Sequence, residues 1–310
     1  MWEHIVQRQT GILNFTAELN EAIGRTRIAV FGCGGNGAVL DHLVRTGFQH
    51  FHIVDTDTVE ASNLNRLPFF PDAVGLPKVQ AWKQHLQRIN PACEVHTHRA
   101  EIGRHQQALV REIVGDVDLI ALEMSGFEGN FVVARIAAQA GVPMVIGPGT
   151  ANCWVVSSFE HRGGATLEGI GGFDTEDQPL EDLDYQALRP QFAGLHGFPG
   201  RHERLAPGVG AAVRAAEIPP RSAKIFIAMV NAAQCWELVK NTAVLHGLPL
   251  EGTQVIAFPV MQMFDPWRGA AFYYDASTGR VGIPDWFSGE IDWRDAPDGS
   301  ATPDVFPEKD

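Results

Sequence analysis

Paired cysteines are missing from this chain. Its four cysteines stand at positions 33, 93, 153 and 235, far apart and never as Cys-x-x-Cys. That argues against a structural zinc site and makes reduced, unpaired thiols the expected state. Basic charge is also scarce: 24 Lys and Arg stand against 37 Asp and Glu, a formal charge of -13. A nucleic-acid partner is not expected from that balance, because such proteins carry a basic face. No apolar run approaches the roughly 20 residues that cross a bilayer, so no membrane partner is expected either. The first residues, Met1-Trp2-Glu3-His4, lack the basic region and apolar core of a secretory signal, which makes the cytoplasm the expected location. What is present is a 310-residue chain with 45% hydrophobic residues, enough for one large core or two modest domains.

The chain is organised around the stretch from Arg27 to Lys78. An apolar run, Ile28-Ala29-Val30-Phe31, breaks into Gly32-Cys33-Gly34-Gly35-Asn36-Gly37. A helical pattern follows, with Ala38, Val39, Leu40, Leu43 and Val44 on one side, and a second run, Phe51-His52-Ile53-Val54, ends in Asp55. Strand, glycine turn, helix, strand and acid form the first half of a dinucleotide-binding unit. Gly32, Gly34 and Gly37 let backbone approach a phosphate and let helix pack on strand. The helix start offers unpaired N–H groups and the positive end of a dipole to an anion, and Asp55 is placed to accept ribose hydroxyls. Glycine turns are common, and the residues that follow sharpen the reading: Asp57, then Ser62-Asn63-Leu64-Asn65-Arg66, then Pro77-Lys78. A dinucleotide carries only a diphosphate and needs no cation pair there. Arg66 and Lys78 suit a more negative tail such as the triphosphate of ATP, although two solvated cations in a turn would look the same.

In that order, the doubled glycine, the Asp55-x-Asp57 pair, the Ser62–Arg66 run and Pro77-Lys78 resemble the ThiF/MoeB superfamily, the ubiquitin-activating-like adenylating enzymes. The resemblance spans roughly residues 5 to 150. It implies a protein that binds ATP with Mg2+ and adenylates a carboxylate, usually a peptide or protein C-terminus, releasing pyrophosphate and leaving an acyl-adenylate. It implies that Gly35, with Gly32, Gly34 and Gly37 around it, holds the α-phosphate through backbone N–H groups, and that Asp55 takes the ribose. Asn63, Arg66 and Lys78 would spread over the triphosphate, with Asp57, Ser62 and Asn65 completing the nucleotide motif and the loop at Ala100 and Glu101 lining the adenine. Arg66 and Lys78 would act electrostatically on the phosphorus oxygens and the departing pyrophosphate. Arg8 matches a family arginine that reaches across a symmetric homodimer to the partner's triphosphate. Relatives hold magnesium with an Asp after the fourth strand; here the run is Glu123-Met124-Ser125-Gly126, and Ser125 takes that place. Serine is a poor cation ligand without a carboxylate, which leaves Glu123, or Glu128 one turn on, as the substitute. Many relatives carry two Cys-x-x-Cys pairs that bind zinc; this chain does not. Some use a cysteine to take the acyl group, but Cys33, Cys153 and Cys235 read as small buried residues. The expected second step is therefore direct attack by a separate nucleophile, with no thioester relay.

Strands and helices alternate from residue 78 to 150: helices over Lys78–Ile89, Ala108–Val114 and Phe131–Ala140, and strands over Glu94–His98, 117–122 and 143–147. The fold class is α/β, a Rossmann-like, mostly parallel sheet with helices on both faces, completed by a C-terminal helix and antiparallel strands. Four parts are expected: an N-terminal arm and helix (1–26), an ATP-binding Rossmann-like domain (27–157), a crossover loop or lid (158–220), and a C-terminal part (221–310) of helix, strands and acidic tail that completes the same domain. The crossover is acidic early, from Glu176 to Asp184, and basic later, from Arg189 to Arg214. In the C-terminal part, 254–258, 261–264 and 270–274 read as strands. Two other functions remain open: a nucleotide-binding scaffold that has lost its metal site, as Ser125 favours, and an NAD-dependent oxidoreductase, supported only by the glycine turn and Asp55.

Overall fold

The computed structural model describes residues 2–124, 126–147, 154–160, 166–188, 223–265, 269–285 and 290–295. Ser125, Cys153, the basic half of the crossover, and residues 286–289 and 296–310 of the acidic tail lie outside them.

Strands β1 (Arg27–Phe31), β2 (His50–Val54), β3 (Glu94–His98), β4 (Leu119–Leu122) and β5 (Met144–Ile146) run parallel. Strand β6 (Trp154–Phe159) reverses against β5, and β7 (Val260–Asp265), β8 (Ala270–Asp275), β9 (Arg280–Pro284) and β10 (Ile291–Asp295) continue antiparallel. The sheet order is β10-β9-β8-β7-β6-β5-β4-β1-β2-β3. Because β1 sits between β2 and β4, the winding reverses at its carboxyl end, the place where open α/β sheets bind ligands.

Alternation along β1 explains the layers. Ile28 and Val30 point into a core shared with helices α2 (Ala17–Arg25), α3 (Val39–Thr46), α4 (Lys78–Ile89) and the long late helix, α8 (Lys224–Leu245), the eighth among the described residues. Ala29 and Phe31 point into the opposite core, with α5 (Gln107–Gly115), α6 (Phe127–Ala140) and α7 (Leu167–Gly171). A short N-terminal helix, α1 (Trp2–Val6), rests on α3, with Trp2 Nε1 donating to Gly47 O (2.7 Å). No described helix is long and apolar enough to cross a membrane.

The structure departs from expectation at 254–258, which forms no full strand and meets the sheet only in a parallel bridge to β6, where Ser158 N–H donates to Ile256 O (2.8 Å) and Phe258 N–H to Ser158 O (2.7 Å). Glu237 of α8 accepts the Ile256 N–H, and Lys240 donates to Gln254 O (2.7 Å). Side chains of α8 thus satisfy backbone groups that a neighbouring strand would otherwise pair. Strands β9 and β10 were not anticipated, and α6 begins a turn earlier than its apolar spacing indicates. Within the crossover, residues 166–188 pack on α6. Arg135 is buried and ion-paired with Glu168, and its guanidinium also donates to Thr175 O (2.9 Å).

Histidines line one face of β2 and β3. His52 Nε2 lies 3.1 Å from Asp116 Oδ2, His52 Nδ1 lies 3.1 Å from His98 Nε2, and His96 stacks on His52 with centroids 4.7 Å apart. Burial first, then the neighbouring imidazoles, hold His52 and His98 below the ordinary imidazole range. The folded chain therefore binds fewer protons here than the unfolded one. The contribution is intact above the unfolded value of about 6.5 and is lost as pH falls below it. Thermal unfolding at pH 7.5 and 5.5 should show an acid-side loss that is smaller by a few degrees in His98→Gln; an equal loss in both proteins would clear this pair of responsibility.

Candidate active site

The turn after β1 is built by its glycines. Gly32 has φ +94, and a Cβ there would stand 2.7 Å from the backbone of Glu123 and Met124. A Cβ on Gly37 would stand 2.2 Å from Gly32 O. Both positions are closed by backbone and need glycine. Gly34 differs: a Cβ there meets nothing within 4 Å among the described residues. The N–H groups of Gly34 and Gly35 donate to no described group. From Gly35 (φ -54, ψ -52) the chain is helical through a 3-10 turn, Asn36–Ala38, into α3. The Gly35 N–H therefore lies at the positive end of this helical run, with the Gly34 N–H next to it.

Asp55 braces this turn. Its Oδ2 accepts the Cys33 N–H (2.7 Å) and its Oδ1 the Asp57 N–H (2.8 Å), while its own N–H donates to His98 O (3.2 Å). Two oxygens holding one bond each keep lone pairs for further donors such as hydroxyls. Lys78 Nζ sits 2.7 Å from Asp57 Oδ2, with its side chain 11% exposed against 60% for the aspartate. Arg66 lies over Gly35: its Cδ and Nε come within 3.3 and 3.4 Å of where a Cβ would stand. Its Nη1 is held by Ser62 O (3.0 Å) and Asn65 Oδ1 (2.9 Å).

The sequence-predicted residues thus fall into two contacting sets, Gly35 with Arg66, Ser62 and Asn65, and Asp55 with Asp57, Lys78 and the Cys33 backbone. The two sets are joined along the chain by the glycine turn, where Cys33 and Gly35 stand two residues apart. Asn63 has another task. It is buried, and its Oδ1 accepts the Glu60 N–H (3.3 Å), so its side chain caps the turn that carries Arg66. Ala100 follows β3 on the edge next to Asp55 and packs on the second core. Arg8 is exposed at the other end of α3, where its neighbour Gln9 donates to Thr46 O (2.8 Å). The eight residues of α3 place it about 12 Å along the helix from the glycine turn. Within one chain, Arg8 is not part of the site.

The metal expectation does not fit the described residues. The Glu123 side chain turns inward onto Gln234 of α8, and burial pushes its pKa well above the carboxylate range, opposed only by the Gly147 backbone N–H. An acid turned inward onto Gln234 is not presented to a cation as a magnesium ligand is. Glu128 is taken by Arg104, whose Nε and Nη2 donate to its two oxygens at 3.0 and 3.1 Å, and that guanidinium holds its pKa below the usual range. No group of three or more His, Cys, Asp or Glu able to hold a metal exists among the described residues. Cys33 and Cys235 are buried as expected, and Cys93 is buried too: Cys33 is pushed well up, by burial and then by Asp55, and burial raises Cys93 and Cys235 to about 11. Sequence reasoning missed Trp82, whose Nε1 donates to Cys33 O (3.0 Å), and Ile227 and Asn231 of α8, which touch Gly35. Trp82 had a local signal, standing one helical turn after Lys78.

A doubly wound sheet whose switch point carries an open glycine, a braced carboxylate and two cations defines an α/β protein of the nucleotide-binding fold class. The chain matches the ThiF family over residues 6–242 and belongs to it. It is 32% identical over 159 residues to "Adenylyltransferase and sulfurtransferase UBA4" of Eremothecium gossypii, covering 50% of this chain and 34% of that one. It is 43% identical over 83 residues to "Ubiquitin-like modifier-activating enzyme 5" of Drosophila melanogaster, covering 26% and 20%. The chain spans about a third and a fifth of those relatives. Among solved structures, E. coli MccB with ATP superposes with a TM-score of 0.62 at 14% identity, over 83% of this chain and 66% of that one. PaaA gives 0.60 at 18% identity over the same shares. At such identities these two show the fold.

Proposed function

We propose that the protein is an ATP-dependent adenylyltransferase that activates the carboxylate of a peptide or protein tail. The observation that carries this reading is the packing of Arg66 on Gly35, and the pairing of Lys78 with Asp57 beside the Asp55-braced Cys33 backbone, around a glycine whose outer side is open among the described residues. The unpaired N–H groups of Gly34 and Gly35 bind phosphate oxygens, and Asp55 accepts ribose hydroxyls with its remaining lone pairs. A substrate carboxylate oxygen forms a bond to the α-phosphorus as the bond from that phosphorus to the bridging oxygen breaks. The bridging oxygen leaves with its electron pair as part of pyrophosphate, and the acyl-adenylate remains. Arg66 and Lys78 stabilise the charge that gathers on these oxygens, and positioning supplies much of the rest. No step is assigned to magnesium, because no described donor set fits it. The buried, raised thiols of Cys33, Cys93 and Cys235 favour a second step by direct nucleophilic attack. The position of Arg8 favours a symmetric homodimer in which the arm serves the partner's site. Solved structures of MccB with the peptide MccA support a peptide as the acyl substrate class.

ATP–pyrophosphate exchange with candidate peptide and protein tails is the test, and exchange dependent on one of them is the expected result. The second reading, a nucleotide-binding scaffold, is favoured by the inward Glu123 and the paired Glu128. ATP binding without exchange for every tail tried would establish it, whereas NADH binding without ATP binding would point to an oxidoreductase.

A further inference from the structure

Six buried side-chain polar atoms have no hydrogen-bond partner among the described residues, and five belong to Asn36, His42, Glu123, Asn231 and Gln234. Those residues lie on the glycine turn, the first turn of α3, the end of β4 and the middle of α8, where α8 packs against α3 and the turn. Asn231 is the informative one. It is fully buried, its Nδ2 donates to Gly35 O (3.3 Å), and its Oδ1 is unpaired. Leaving half of a buried amide unpaired is costly, and the bond that is made fixes the next peptide.

A planar trans peptide points its C=O and the following N–H in opposite directions. The Gly35 carbonyl faces α8, where it accepts from Asn231, and it also accepts the Ala38 N–H (3.1 Å). Ile227 presses the same residue from α8, its Cδ1 3.3 Å from where a Gly35 Cβ would stand. The Asn36 N–H therefore points away from α8, and it donates to no described group. We propose that Asn231 is a positioning residue of the phosphate site: by holding the Gly35–Asn36 peptide from behind, it aims the Asn36 N–H at a phosphate oxygen of the bound nucleotide. The inference rests on the nucleotide-binding reading above and adds α8 to the phosphate-binding machinery.

Asn231→Leu, close in volume and without polar atoms, tests it by calorimetric titration with ATP and with adenosine, alongside thermal unfolding. ATP should bind about 10-fold more weakly, the loss of one hydrogen bond to a charged group. Adenosine should bind as to the wild type, and the unfolding midpoint should not fall. Unchanged ATP affinity, or equal weakening of ATP and adenosine, would overturn the positioning role. Should the variant not fold, the wild-type amide spectrum decides. The Asn36 amide proton should move downfield with ATP and not with adenosine, and a stationary Asn36 signal in an ATP-saturated sample would also overturn the role. A wild type that binds no ATP sinks the nucleotide reading itself and this inference with it.

Discussion

Lys78→Ala should lower ATP–pyrophosphate exchange by at least about 100-fold, the scale of removing one preorganised group that meets developing charge, while leaving the fold almost untouched. Both halves follow from the surroundings of this lysine. Its ammonium is nearly enclosed, so its field is poorly screened and acts on a bound phosphate at a low effective dielectric. Its partner, Asp57, is mostly exposed and is rehydrated once the lysine is gone, so no buried charge is stranded. The Lys78 N–H to Asp57 O bond (2.9 Å) is backbone and survives the substitution. Exchange rate, ATP affinity and unfolding midpoint should be measured on the same preparation. A large fall in exchange with a small shift in midpoint is the expected pattern. Normal exchange would remove Lys78 from the mechanism, and a collapse of the fold would show that the Asp57 pair is mainly structural.

The phosphate turn was legible because its parts are close in sequence. Strand, glycines, helix and Asp55 form one continuous unit, and Arg66 and Lys78 follow within two short turns. Steric rules select glycine at 37 from within the turn itself, where Gly32 O stands 2.2 Å from a Cβ, and the left-handed φ of Gly32 favours glycine there too. The contribution of α8 was not legible. Asn231 and Gly35 are 196 residues apart, and nothing in an apolar helix marks the one amide that will touch a distant turn. Glu123 shows a different limit. An acid at the end of a buried strand is visible in the sequence, but the direction it faces depends on Gln234, which reaches it from α8. The shortened pairing at 254–258 has a related origin, since the segment bridges β6 only at Ser158 while Glu237 and Lys240 take the Ile256 N–H and the Gln254 carbonyl. In each case a polar side chain of the late helix decided what local pattern left open.

Two glycines three residues apart should fail in opposite ways when given a methyl group. Gly37→Ala places a Cβ 2.2 Å from a backbone oxygen, where neither wall is a flexible side chain. The turn must shift, and about 3 kcal/mol of stability should be lost, the upper range of overpacking penalties. Urea unfolding reads this as a lower midpoint with an unchanged slope. Gly34→Ala meets no described neighbour, and the backbone there is not in the left-handed region, so its unfolding midpoint should match the wild type. Its methyl instead occupies the open side between the Asp55-braced Cys33 and the Arg66-covered Gly35, where the phosphate must approach backbone. ATP affinity should fall at least about 10-fold in calorimetric titration, because the N–H groups are then kept beyond hydrogen-bond reach. A Gly34→Ala protein that binds ATP as tightly as the wild type would mean that the phosphate does not sit over this turn. The placement of Arg66 and Lys78 would then need a different ligand to explain it.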